Sequence, residues 1–320
     1  MAIYTDAAQI VGKTPLLSAT KYAKKVGINN TEILAKLESF NPAGSVKDRI
    51  ALEMINDAER RGVLKPGSHI VEPTSGNTGI GIAAIGTAKG YKVTIVLPAS
   101  LSVERRAMIQ AYGAELLLTP GSKAIKGAIA YVEEWAKRDD TIVVLGQFTN
   151  PANPLVHYRT TGPEIWEDAD GKVDAFVAGI GTGGTLSGVG KFLKEKNPDA
   201  YIVGVEPETS AILTGGQPGP HAIQGIGAGF SPETLDNSVY DEILDISDAD
   251  SIEQARIFGQ SEGVFVGISS GAALQAARVL AARPEFAGKR IAVVLPDNGD
   301  RYLSTKLGEF PEADEVDTEN

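Results

Sequence analysis

The sequence predicts an α/β protein, with short strands of a mainly parallel sheet alternating with helices through both halves of the chain. Three observations carry this. The order strand–turn–helix repeats, and a repeated β-α rhythm calls for parallel strands covered by helices on both faces. Polar or Gly-rich turns fall at the carboxyl ends of the predicted strands, where open α/β sheets bind ligands. Finally, 320 residues at 42% hydrophobic content can bury either two domains or one large α/β core.

Each element has its own signal. Asn41-Pro42 followed by Gly44 marks a loop, and Ser45 with Asp48 three residues on reads as an N-cap with a shortened capping box. Behind it Ile50, Ala51, Met54, Ile55 and Ala58 recur at helical spacing until Gly62. A strand over 69–72 ends at Pro73, and a polar turn over 74–79 opens a helix that stops at Gly90. A strand over 92–97 ends at Pro98, and Ser102 reads as the cap of a helix through Tyr112. A strand over 114–118, a helix over 123–137 and a strand over 141–145 follow, leading into a loop over 146–154. The second half repeats the pattern: strand 173–178, a Gly-rich turn and a helix to about Lys196, then strand 201–206. Residues 209–232 show no period, and a Gly/Pro-rich loop of that length is usually functional. A strand over 239–246, helices over 248–260 and 269–282, and a strand over 291–295 complete the chain. The best domain boundary lies near 150–154.

Composition removes several classes of function. The chain has no Cys, so disulfides and thiolate metal sites are excluded, and its three His (His69, His157, His221) are too scattered in sequence to suggest a metal cluster. A net charge of −11 argues against nucleic-acid binding. Six acidic residues and no basic one fall in 309–320, so this end reads as a solvated, disordered tail. Neither a signal peptide nor an apolar run of membrane-spanning length is found, which predicts a cytoplasmic protein that contacts no membrane.

The chemistry gathers around Lys47. It sits in the first turn of its predicted helix, where the partial positive charge of the helix end disfavours a second cation. That lowers an amine's pKa, as a nucleophilic lysine requires. Gly181-Thr182-Gly183-Gly184-Thr185 follows a strand and opens a helix, a setting in which backbone N–H groups can cradle an anion; taken alone it could equally be a tight turn. Thr74-Ser75-Gly76-Asn77-Thr78 suits a carboxylate, or simply caps a helix. Two further patterns mislead. Gly179, Gly181 and Gly184 with Glu206 imitate a dinucleotide fingerprint, which would leave Lys47, the Thr74–Thr78 turn and Gln147 without a role. Gly267-Ile268-Ser269-Ser270-Gly271 imitates a hydrolase elbow, but every His precedes Ser269 whereas that fold needs one after it.

Six motifs, over 41–49, 72–79, 147–154, 181–185, 224–230 and 267–273, occur in an order that resembles the O-acetylserine sulfhydrylases of the pyridoxal-phosphate-dependent tryptophan synthase β-like family. The resemblance covers about 5–307. It implies fold type II: two open twisted, mainly parallel sheets flanked by helices. A smaller mobile domain would span 41–149 and a larger cofactor-binding domain 1–40 and 150–307. It implies that Lys47 carries pyridoxal 5′-phosphate and later removes the substrate α-proton. Asn77 would bond the cofactor's ring oxygen, Gly181, Thr182, Gly183, Gly184 and Thr185 its phosphate, and Ser269 the ring nitrogen. Thr74, Ser75, Thr78 and Gln147 would grip the substrate carboxylate. The implied reaction turns O-acetyl-L-serine and sulfide into L-cysteine and acetate through an aminoacrylate, and no metal is required. A homodimer and a possible complex with serine acetyltransferase are implied as well. The nearest rival is a cystathionine β-synthase-like enzyme using serine and homocysteine. The motif over 224–230 and the lack of an appended regulatory domain weigh against it, while Gly146 and Ile125 depart from common family residues near the substrate side.

Overall fold

The structure, a computed structural model, describes residues 3–74 and 76–311. Its strands form two sheets. The larger contains β1 (Leu16–Ser18), β2 (Glu32–Leu37), β7 (Ala175–Gly179), β8 (Tyr201–Pro207), β9 (Glu242–Ile246) and β10 (Arg290–Leu295), in the order β1-β2-β10-β7-β8-β9. The smaller contains β3 (His69–Pro73), β4 (Lys92–Pro98), β5 (Glu115–Thr119) and β6 (Ile142–Val143), in the order β5-β4-β3-β6. All pairings are parallel except β1 with β2. Helices cover both faces of each sheet, and the central strands are accordingly buried on both sides. Alternation along β7 makes this explicit: Ala175 and Val177 enter one core cluster, Phe176 and Ala178 the cluster on the opposite face. Separate clusters flank the smaller sheet in the same way.

The helices that matter for the site mostly bring their first turns to it. Numbered in chain order, the helices are α1 (Thr20–Lys25), α2 (Lys47–Arg60), α3 (Asn77–Ala88), α4 (Val103–Ala111), α5 (Ala124–Ala136), α6 (Ala152–Val156), α7 (Gly162–Asp168), α8 (Gly184–Lys196), α9 (Asp248–Glu262) and α10 (Ile268–Ala281), and those at the site are α2, α3, α4, α8 and α10. The predicted helices and most strands are present within a residue or two. Differences have identifiable causes. The strand expected over 141–145 shrinks to Ile142–Val143, because the N–H groups of Leu145, Gly146 and Gln147 turn to the buried Glu72 carboxylate instead of the sheet. The expected loop over 146–154 runs into a continuous helical rod: Ala152–Val156, a π-helical turn at His157–Thr161, then Gly162–Asp168. Pro151, Pro154 and Pro163 suggest a break, yet Pro151 and Pro154 sit at the start of the rod, where N–H groups need no intrahelical acceptor, and Pro163 falls directly after the π turn. In the first forty residues β2 aligns beside β10, with Ile33 opposite Ile291.

Two caps differ from expectation. Ser45 Oγ accepts from Lys47 N–H at 3.2 Å, but Asp48 sends its carboxylate to Ala43 N–H at 2.6 Å, so the reciprocal capping box does not form. Ser102 precedes α4 without capping it, since its hydroxyl donates to Arg301 O at 2.9 Å. Of the expected acidic tail, everything beyond Pro311 lies outside the described residues.

Candidate functional site

A cavity of about 730 Å³ opens between the two sheets, at the carboxyl ends of their strands. Lys47, Asn77, Thr78 and Gln147 reach it from the smaller-sheet side, and Gly181, Thr182, Thr185 and Ser269 from the larger. Eight of the sequence-predicted residues therefore meet in one place. Thr74 lies just behind the wall, where its hydroxyl accepts from Gly76 N–H at 3.0 Å. Gly183 and Gly184 form the start of α8 rather than the cavity surface. Ser75 lies outside the described residues.

Lys47 is the first residue of α2 and is half-buried at the cavity wall. Burial drives its pKa down to about 8, against the upward pull of the Asp297 and Glu38 carboxylates; the Arg105 charge lowers it further. Below it, Arg49 makes paired bonds to both Glu38 and Glu164, at 2.7–2.8 Å, and so ties α2 to the larger sheet's layer. On the opposite wall, Gly183 is left-handed (φ 78°) and turns the chain from β7 into α8. A Cβ at Gly184 would collide with the Asn153 side chain, and one at Gly181 with Gly225 O. The first N–H groups of α8 have no intrahelical acceptor, a setting that suits an anion. Thr182 Oγ1 accepts from Asn153 Nδ2 at 2.9 Å, and Thr185 Oγ1 lies 3.2 Å from His157 Nε2. His157 belongs to the π turn, which places its ring against α8.

The third wall pairs a hydroxyl with an amide. Thr78 Oγ1 donates to Gln147 Oε1 at 2.7 Å, and Gln147 Nε2 donates to Pro73 O at 3.0 Å. Glu72 holds the Gln147 loop through three N–H bonds of 2.9–3.0 Å. Burial pushes the Glu72 pKa up to about 7, while those N–H groups favour its charged form.

Both misleading patterns resolve physically. Glu206 spends its carboxylate on the N–H groups of Leu213 and Thr214, at 3.0 Å, and does not line the cavity. Gly267 and Gly271 are required by packing, because a Cβ at either would strike Asp297 or Ser251 O. Sequence reasoning missed Asp297 and Arg301, which bond Asn77 from the turn after β10; no local pattern connects positions so far apart. Among the described residues no cluster of His, Asp and Glu could hold a metal ion, and no helix is long and apolar enough to cross a membrane.

Known proteins share this fold. A family model described as pyridoxal-phosphate dependent enzyme matches residues 7–297. A cysteine synthase of Staphylococcus aureus is 53% identical over 94% of this chain and 96% of its own length. Among solved structures, a cysteine synthase of Entamoeba histolytica superposes with a TM-score of 0.92 at 44% identity, covering 98% of this chain and 93% of its own. A hydrogen sulfide-producing enzyme of Fusobacterium nucleatum gives 0.88 at 42% identity, covering 94% of this chain and 100% of its own. Matches of this extent span both sheets and the crevice between them, and the chain therefore belongs to the pyridoxal-phosphate-dependent enzymes.

Proposed function

We propose that this protein converts O-acetyl-L-serine and sulfide to L-cysteine and acetate, with pyridoxal 5′-phosphate seated in the crevice and bound through Lys47. The observation that carries the reading is the meeting, in one cavity, of a half-buried lysine with a lowered pKa, a Gly-rich helix start and a hydroxyl–amide wall. Two further features suit the cofactor. The turn at 181–185 is pressed so closely against Asn153 and Gly225 that only Gly fits at 181 and 184. Ser269, at the start of α10, adds a neutral hydroxyl to the cavity wall.

The bound cofactor supplies the electron sink that makes the substrate α-proton acidic. The rest falls to the chain's own groups. Lys47, lowered to about pKa 8, has a substantial neutral-amine fraction at mildly alkaline pH, so it can attach the cofactor and then move the proton at the substrate Cα. Gly181, Thr182, Gly183, Gly184 and Thr185 would hold the phosphate through backbone and hydroxyl donors, and Asn77 the ring oxygen. Ser269, being neutral, would bond the ring nitrogen without stabilising a long-lived carbanion, which favours loss of the β-substituent. Thr74, Ser75, Thr78 and Gln147 would hold the substrate carboxylate. The layer over 41–149 would close on it, and its wall would keep water from the reacting carbons.

The proposal extends to a cytoplasmic homodimer that can engage serine acetyltransferase. The rival reading, serine with homocysteine, has no observation in its favour at this site. One assay separates the two. Purified holoenzyme is given each acyl donor (O-acetylserine, serine) with each sulfur donor (sulfide, homocysteine). Cysteine formed fastest from O-acetylserine and sulfide is the expected result, and faster turnover of serine with homocysteine would reverse the assignment.

A further inference from the structure

The turn after β10 supplies none of the residues assigned above, yet it reaches the centre of the site. Asp297 and Arg301 lie 220 and 224 residues from Asn77 along the chain, and both bond its side-chain amide. Arg301 Nη1 donates to Asn77 Oδ1 at 2.7 Å, and Asn77 Nδ2 donates to Asp297 Oδ2 at 2.6 Å. A guanidinium only donates and an ionised carboxylate only accepts. The amide therefore has one permitted orientation. Turned over, its NH2 would face the Arg301 donors and its oxygen would face the Asp297 carboxylate. Asn77 Nδ2 carries two N–H bonds and Asp297 takes one, which leaves the other for whatever occupies the cavity that Asn77 lines.

Both orienting groups are themselves held. Asp297 and Arg301 are 1% and 2% exposed, so neither bond competes with water. Tyr302 donates its hydroxyl to Asp297 Oδ2 at 2.5 Å, and Arg105 Nη2 stands 3.8 Å from the same oxygen. Arg301 also donates to Ala43 O, in the loop that leads into Lys47. Gly44 (φ 81°) makes that reach possible, because a Cβ there would collide with the guanidinium. One arginine thus ties the Lys47 loop to the Asn77 amide. The Asp297 charge is in addition the largest influence that opposes the effect of burial on Lys47.

We infer that Asp297 and Arg301 are positioning residues, which lock the Asn77 amide with its second N–H presented to the cofactor and hold that amide in register with Lys47. The inference rests on the reading of Asn77 as a cofactor ligand.

The test exploits the one-way character of the two partners. Asp297→Asn and Arg301→Gln replace each with an amide, which can accept or donate and so serves either orientation of Asn77. Holoenzymes of both single variants, the double variant and Asn77→Ala are compared by the absorption band of bound cofactor, cofactor retention and melting midpoint. The double variant is expected to shift the band in the same direction as Asn77→Ala and to weaken retention about tenfold, the worth of one net hydrogen bond. A lowered midpoint with an unmoved band would mean a structural role only and would overturn the inference. An unmoved band in Asn77→Ala would instead show that Asn77 does not touch the cofactor, and the inference would fall with that reading. If the double variant does not fold, Arg301→Lys against Arg301→Gln decides by the same band. Lysine is still donor-only and should leave the band in place, while Gln should move it; equal behaviour of the two overturns the lock.

Discussion

At Lys47 two effects compete, and their balance sets the residue's chemistry. Burial favours the neutral amine, while Asp297 and Glu38 favour the ammonium, and burial wins by bringing the pKa from 10.5 to about 8. Raising the pH through 8 should therefore deprotonate Lys47 in cofactor-free protein, well before any exposed lysine. Labelling with an amine reagent, read by peptide mass, should reach half its maximal rate at Lys47 near pH 8. A midpoint at the ordinary lysine value would show that burial does not control this amine. In the holoenzyme, Lys47→Ala should abolish fixation of the cofactor to the chain by borohydride. Thr78 makes a sharper case, because its hydroxyl is already bonded to Gln147. If that pair only braces a helix start, Thr78→Ala should cost about 1 kcal/mol of stability and leave kcat/KM alone. If the pair grips the substrate carboxylate, a charge-assisted bond of roughly 1.5–3 kcal/mol is lost, and kcat/KM for O-acetylserine should drop about ten- to hundredfold. We expect the second outcome, with cofactor content unchanged. Lys47, Asn77 and Thr78 were legible because each sits in a short motif at a helix start. Asp297 was not, since a residue that acts across more than two hundred positions leaves no local trace.

Helix starts are the elements that define this site, and their legibility followed their physics. Helices α2, α3 and α8 announce themselves through apolar spacing and terminal Gly residues, whereas the rod over 152–168 hides behind three prolines that read as breaks. The strand expected over 141–145 failed for a different reason: an acidic side chain took the N–H groups that a sheet would have used. This substitution of Glu72 for a strand partner has a pH consequence. With a pKa near 7, the carboxylate gains a proton as the pH falls through neutrality and then loses acceptor capacity for three converging donors. The Gln147 loop should loosen, and KM for O-acetylserine should rise below pH 7. Glu72→Gln mimics the protonated form at every pH, so it should show the raised KM already at pH 8 and a flattened dependence between pH 6 and 8. An unchanged KM in the variant would detach Glu72 from substrate binding.

The whole molecule consists of two sheets with separate cores, joined across a crevice that also holds the candidate site. The repeated β-α rhythm made the parallel sheets readable, but the return of β1 and β2 to the edge of the larger sheet had no periodic signal of its own and followed only from resemblance. Two kinds of bond cross the crevice. One is built in: Arg49 to Glu38 and Glu164, Arg105 to Gln224 and Tyr302, and Arg301 to Asn77. The other would come from the cofactor, which would touch residues of both layers if it is held as proposed. Because buried ion pairs bring little net stability, the cofactor should dominate the coupling. A ligand present at a thousand times its Kd stabilises by about 4 kcal/mol, so stripping the cofactor should lower the melting midpoint by roughly 8 °C. The chain's two tryptophans report the layers separately, Trp135 on α5 (Ala124–Ala136) beside the smaller sheet and Trp166 on α7 (Gly162–Asp168) beside the larger. Single-tryptophan variants, Trp135→Phe and Trp166→Phe, should give coincident fluorescence transitions in the holoenzyme. In the stripped protein the Trp135 signal should be lost first, since its four-stranded layer has the smaller core. Coincident transitions after stripping would show that the arginine bonds alone bind the two layers into one cooperative unit.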